Sequence, residues 1–236
     1  WWSDKHNKHH AHTNEMGVDG DMAVGPLLYT YAPDPSDDTV FRKLQPITFV
    51  PTFALLKWLW TFRSFQVGVE AIEEQRPQAK QEFYSLMLHF GLLLTFFPPA
   101  VWIPAFFFSG LLTALIVTPT HQNDTFFTQT QTDWVTAQFQ STRNAVLTNP
   151  FSTWIWGGMQ YQLEHHLFPA MPRSKYPELR PLVQKFASEN GLEYLESGEV
   201  DILKINWELY RDVAKADPIL GAPHGEMTTV NDKLAV

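Results

Sequence analysis

Cysteine is absent from the 236 residues, which excludes disulfides, thiolate metal sites, iron–sulfur clusters and cysteine nucleophiles together. Basic residues are scarce. Lys and Arg number 17 against 25 Asp and Glu, a formal charge of −8, and an acidic chain without clustered cations is not built for nucleic acid. No G-x-S-x-G elbow and no glycine-rich phosphate loop occurs, so serine hydrolysis and nucleotide binding lack their usual scaffolds. Charge of either sign vanishes from Phe83 to Asn123, a run of 41 residues. The mean hydropathy of −0.19 therefore averages over a segregated chain. At 44% hydrophobic the sequence is too apolar to be disordered. The opening Trp1-Trp2-Ser3 lacks the charged and apolar regions of a signal peptide, and the expectation is either a processed chain or a piece of something longer.

The uncharged run has room for two membrane crossings of roughly 17–25 residues each if it turns midway, and Pro98-Pro99 supplies the break. Spans are expected near Phe83–Phe97 and Ala100–Thr118; a buried hairpin of a soluble protein is the plainer alternative. Arg63, Arg76 and Lys80 before the run, and Arg143, Arg173, Lys175 and Arg180 after it, put both ends on the cytoplasmic side. Ile47 to Phe62 carries Pro51 and Lys57 among Trp58, Trp60 and Phe62, a pattern expected of a helix lying in the membrane interface. Turn residues fill Asp34–Asp38. Helical spacing predicts Pro177–Asn190, stopped by Gly191, and Ile202–Ala216 with Ile205, Leu209 and Val213 on one face. Residues 217–236 are expected to be a flexible tail. The fold class is all-α: an integral membrane helical protein with a transmembrane hairpin, an interfacial helix and a cytosolic cap bearing histidines.

One spacing occurs twice. His6-Asn7-Lys8-His9-His10 places histidines at positions 0, 3 and 4, and Gln162-Leu163-Glu164-His165-His166 repeats the pattern with Gln first. Composition alone gives about 0.01 occurrences of His-x-x-His-His. Residues three and four apart share a helix face, so each box is expected to aim three side chains at one point. Neutral imidazole is the commonest metal ligand and suits iron, zinc, copper or nickel. His121, just after the second expected span, is a third contributor. Bland readings stand beside these: a fortuitous His-rich tract for 6–12, a polar turn for His165 and His166, a lone boundary histidine for His121, and a hydrogen-bonding neighbour for Gln162. His89 and His224 are not expected to ligate. His12, off the pattern, is expected beside the site or in solvent. Paired Glu-x-x-His elements of a soluble di-iron bundle are missing.

The segment WWSDKHNKHHAHTN resembles the second histidine box of membrane fatty acid desaturases, and WGGMQYQLEHHLFPAMPR resembles the third box of their front-end subgroup, where Gln replaces the first His. RKLQ, the paired spans and ENGLEYLESG extend the likeness over residues 1–216. The resemblance implies a non-haem di-iron enzyme that inserts a double bond between an existing one and the carboxyl end of an acyl chain. It implies dioxygen, electrons from cytochrome b5 and its reductase, an acyl-lipid or acyl-CoA substrate, and an endoplasmic reticulum membrane with the boxes facing the cytosol. Matched ligand positions are His6, His9, His10, His165 and His166, with Gln162 in the variable place and His121 matched by location. The first histidine box and a fused cytochrome b5 domain do not occur in these residues, and the resemblance therefore implies a C-terminal piece of a longer protein. A sphingoid-base desaturase or related hydroxylase is the alternative, and a membrane metal transporter a remote one. Trp154, Trp156 and Tyr161 are candidates to line an acyl tunnel or to pack against lipid.

Overall fold

The computed structural model describes residues 1–22, 25–122, 124–131 and 133–223, and it is built from helices. Two compact units emerge: Trp1 with Val50–Ala114, and Trp2–Phe49 with Leu115 onward.

In the first unit, α3 (Leu56–Glu73) and α4 (Ala79–Phe96) run back along each other. Phe65 meets Phe90 at 5.1 Å between ring centroids. Gly68 leaves room for Phe83, because a Cβ there would lie 2.7 Å from the ring. The chain breaks where the proline pair requires it. Phe97 is extended (φ −123°, ψ 129°), as a residue before proline prefers, and α5 (Pro99–Val117) starts on Pro99, whose missing N–H costs nothing at a helix start. Trp58 packs on Trp102, Phe106 and Phe107 of α5 with centroids 5.2–5.7 Å apart. Gly110 brings α5 against backbone: a Cβ there would sit 2.7 Å from the Ala54 carbonyl oxygen and 3.0 Å from the Lys57 nitrogen.

Among the described residues, α5 alone is long and apolar enough to cross a membrane. The expected first span, Phe83–Phe97, does not reach that mark. Helix α4 extends back through Lys80 and Glu82, leaving 14 uncharged residues from Phe83 to Phe96. These rise roughly 21 Å at 1.5 Å per residue, short of a hydrocarbon core about 30 Å thick. The single helix expected over Ile47–Phe62 is corrected. Helix α2 (Val40–Ala54) ends and α3 begins inside that stretch, with Leu55 bonding back three residues to Thr52 in a tighter turn.

The second unit holds α1 (Trp2–Ala11), the first part of α2, α6 (Trp134–Ser141), α7 (Pro150–Trp156), α8 (Gln162–Leu167), α9 (Tyr176–Asn190) and α10 (Glu199–Lys215). Strands β1 (Asn144–Val146) and β2 (Glu196–Gly198) pair in parallel, Asn144 opposite Glu196. One core joins Phe139 of α6, Leu163 of α8, and Val183 and Ala187 of α9; another joins Ala145, Trp156 and Ile202. Helix α9 stops at Gly191 in the left-handed conformation (φ 66°), a cap that suits glycine. The buried face of α10 is Ile202, Asn206, Tyr210 and Val213 rather than the expected Ile205, Leu209 and Val213.

Two residues of the RKLQ segment lock this unit. Arg42, 2% exposed, pairs with Asp38 and donates to the carbonyls of Val213 and Ala216 at 2.6 and 2.7 Å. Gln45, fully buried, bonds the backbone of Tyr29 and of Tyr210. The tail expected over 217–236 is tied down at its start: Ile219 N–H reaches Pro33 O, and Gly221 N–H reaches the Asp34 carboxylate at 2.7 Å. Residues 224–236, with His224, lie outside the described residues.

Arg42→Leu should destabilise the fold by about 2–4 kcal/mol, since it strands Asp38 and two carbonyls at once; thermal unfolding in detergent measures it. Gly110→Val should cost about 1–3 kcal/mol by forcing methyls into backbone that cannot yield. The same change at Gly91, where a Cβ would meet nothing within 4 Å, should shift the melting point far less.

Candidate metal centre

Helix α1 exposes its histidines inward. His9 and His10 are buried, and His6 is half-buried. Thr13 bonds back to the His9 carbonyl at 2.8 Å, and Asn14 then leaves the helix with φ 58°, a conformation asparagine tolerates. The Asn14 side chain donates to the carbonyl of His121 at 2.9 Å, which fixes the segment after α5 beside the end of α1. Helix α8 is only six residues long but buried from Gln162 to His166. Its anchor is a polar knot. Glu164, fully buried, accepts from Asn144 Nδ2 at 2.8 Å and from the Tyr194 hydroxyl at 2.6 Å, while Asn144 Oδ1 accepts from Leu163 N–H. Glu164 therefore braces the box and stands outside its histidine cluster.

The six histidines converge, but on two points. His6, His10 and His165 form one cluster; His9, His121 and His166 form the other. Each box is thus divided between clusters, correcting the expectation that each aims three side chains at one point. Positions 0 and 4 of the first box go one way and position 3 the other, while His165 and His166 separate in the same manner. Rings of His10 and His166 stack at 4.0 Å with 14° between planes, so the clusters adjoin. Gln162 joins the second cluster, its amide nitrogen 2.7 Å from His121 Nε2 and its oxygen buried without a partner. A half-turn of the amide exchanges the two atoms and presents the oxygen, which is the amide's only ligating atom. His12 faces Glu15 at 2.9 Å, and His89 lies exposed on α4; neither belongs to a cluster.

The donor set fits a transition-metal ion. In the first cluster, His6 Nε2 lies 3.2 Å from His10 Nε2 and 3.4 Å from His165 Nε2. Nitrogens on one ion at about 2.0–2.1 Å, spread tetrahedrally, stand about 3.3–3.4 Å apart. Four rings are held from behind through Nδ1: His9 by Asp19 Oδ2 at 2.8 Å, His121 by the Ser141 carbonyl at 3.3 Å, His165 by the Tyr176 hydroxyl at 3.2 Å, and His166 by Gln138 Oε1 at 2.8 Å. Such partners fix the tautomer and leave Nε2 to ligate. His166 Nε2 is buried with no partner. Burial, reinforced by neighbouring histidines, holds His6 below its ordinary pKa, pushes His10 down to about 3 and His165 to about 4, and carries His121 and His166 well below the usual range. These rings are neutral lone-pair donors at pH 7. In His9 burial works the same way, yet Asp19 and Asp21 outweigh it and raise the pKa. With imidazole donors and no thiolate, iron, zinc, copper and nickel all suit the chemistry.

Asp19, Gln138, Thr13 and Ser141 escaped the sequence reading, because lone polar residues outside the repeated spacing carry no signal. The suggested tunnel aromatics divide: Trp154 is 76% exposed, Trp156 is buried with its N–H on Glu199, and Tyr161 is half-buried.

Among the described residues, one helix long and apolar enough to cross a membrane accompanies adjoining histidine clusters fit for a metal, a combination that suits a membrane metalloprotein. The fatty acid desaturase family pattern matches residues 1–198, and the chain belongs to that family, in its front-end branch. It is 33% identical over 235 residues to the Delta(5) fatty acid desaturase fat-4 of Caenorhabditis elegans, covering 90% of this chain and 52% of that protein. The Delta(6)-fatty-acid desaturase fat-3 of the same organism is 31% identical over 238 residues, 91% of this chain and 54% of its own. The Delta(8)-fatty-acid desaturase of Euglena gracilis is 28% identical over 214 residues, 82% and 51% respectively. The chain spans about half the length of these relatives. No solved structure matches it.

The division of the boxes has a measurable consequence. His6→Ala and His121→Ala should each lower bound transition metal by about half, and the double variant should bind next to none, as read by elemental analysis of protein purified without a polyhistidine tag.

Proposed function

We propose that the chain carries the di-iron centre of a front-end fatty acyl desaturase. The observation that carries this reading is the pair of adjoining histidine clusters, each drawing on both boxes, with His10 and His166 stacked between them. His6, His10 and His165 would hold one iron; His9, His121 and His166, with Gln162 beside them, would hold the other. Bound there, two irons supply the oxidising power that an unactivated methylene C–H bond demands. The reaction removes two hydrogens from adjacent carbons, and dioxygen takes these, two protons and two electrons to become two waters. Cytochrome b5, fed by its reductase, is the proposed electron source.

The chain's own residues do the positioning. Neutral imidazoles raise no charge barrier against an apolar chain, and each ring held through Nδ1 keeps its ligating nitrogen aimed without reorganisation. Burial of His9, His121 and His166 limits the water that could divert the oxidant. Acyl chains lack polar handles, so the position of the new double bond is left to the shape of the cavity that receives them. The bilayer is the proposed setting, with α4 and α5 entering it as a hairpin whose two ends, and so both boxes, face the cytosolic side of the endoplasmic reticulum. The proposed domain is 1–216, and an acyl lipid or acyl-CoA is the proposed substrate.

The test is expression of the complete reading frame in yeast with supplied unsaturated fatty acids. A new polyunsaturated acid is expected, and it should disappear in the His165→Ala, His166→Ala double variant. Altered long-chain bases without any new acyl product would transfer the activity to sphingolipids and overturn the acyl reading.

A further inference from the structure

Helix α6 has no part in either histidine box, yet it touches three of the elements that bear them. Trp134 Nε1–H donates to the His10 carbonyl at 2.9 Å, Ser141 O receives His121 Nδ1–H, and Gln138 Oε1 lies 2.8 Å from His166 Nδ1. These residues stand at i, i+4 and i+7, one face of a helix. Gln138 is 1% exposed in a helix whose next residue, Phe139, belongs to the apolar core. A buried amide is costly unless its atoms are used.

Its atoms are used in a directed way. The amide NH2 lies 3.5 Å from the His10 carbonyl, and this orientation turns the oxygen to His166 and to the Thr13 hydroxyl. That oxygen can only accept. The other group near His166 Nδ1 is the Thr13 hydroxyl at 3.2 Å, whose single proton has the His9 carbonyl and Gln138 Oε1 as acceptors at 2.8 and 3.0 Å. Both of those acceptors lie nearer the Thr13 hydroxyl than His166 Nδ1 does, so its proton is directed away from the ring. Nδ1 must carry its own, and the lone pair of the neutral ring is left on Nε2, the buried atom without a partner.

Resting on the di-metal reading above, we propose that Gln138 is a positioning residue for the second metal position: its carboxamide oxygen selects the Nδ1–H tautomer of His166 and so makes Nε2 the ligand. The role is specific to one cluster: α6 reaches the first cluster only at the His10 backbone carbonyl, whereas in the second it bonds ring nitrogens, those of His121 and His166. It is also specific to an acceptor, so a carboxylate in the same place preserves it and an alkyl group of similar size does not.

The experiment titrates the full chain with Co2+ after metal removal, purified in detergent without a polyhistidine tag, reading the visible absorption of the bound ion. The parent should take up two equivalents. Gln138→Leu should retain one tight equivalent and bind the second about 10- to 100-fold more weakly, the range for losing a hydrogen bond behind a ligand. Gln138→Glu should restore the second to within a few-fold of the parent. Two tight equivalents in Gln138→Leu would overturn the proposal, as would a Gln138→Glu variant as weak as the leucine one, which would make Gln138 a packing residue. Equal weakening of both equivalents would also overturn it, by showing a general loss of structure. A parent chain that binds no Co2+ would overturn the di-metal reading itself, whatever the variants do.

Discussion

An imidazole has two nitrogens and can give only one to a metal. For four of the six clustered rings the surroundings follow from what the other must do, whereas Nδ1 of His6 and of His10 is buried without a partner. Buried without an acceptor, a second N–H costs free energy and leaves the ring free to choose the wrong tautomer. Here four rings meet an acceptor from four separate places: a carboxylate eight residues past α1, a helix-end carbonyl of α6, a phenol at the start of α9, and the Gln138 carboxamide. The second unit is arranged to deliver these acceptors. The Glu164–Asn144–Tyr194 knot holds α8 in place, the Asn14 bond to His121 O draws the end of α5 to α1, and Arg42 with Gln45 ties α10 to α2.

Such a site is assembled from segments far apart in the chain. His9 and His121 are brought together over more than a hundred residues, and His6 and His165 over more. A metal bound by both would crosslink them, so metal affinity and folding stability are one linked quantity. The neutral state of the clustered rings also matters for the bare chain. Six imidazolium ions in this space would repel one another strongly, and burial keeps five of the six rings from that state.

The sequence made some of this legible. Repeated 0, 3, 4 spacing marks the box histidines that cluster because helical periodicity is local, and Pro98-Pro99 marks a break because the ring and missing N–H act on their immediate neighbours. Gly191 marks the end of α9 for the same local reason. Where tertiary structure decides, the signal fades. Spacing shows that His6, His9 and His10 share a face, but not that His9 sides with His121 while its neighbours side with His165. The break at Leu55 has no sequence mark, since it falls amid aromatics and aliphatics beside the close approach of Gly110. Gln138, a single amide in an eight-residue helix, is read only once His166 is seen beside it.

His6 and His10 lie a full turn apart on α1, with His9 set back between them and serving the other cluster. The separation of the two histidine clusters is therefore graduated by the pitch of a helix rather than left to the slack of a loop. Turning α1 about its axis would carry one set of donors toward its cluster as it carried the other away, so the helix has a single angular setting at which both clusters are served. A one-residue insertion between His6 and His9 would advance that setting by about 100°, and no adjustment of the flanking loops could restore both positions together.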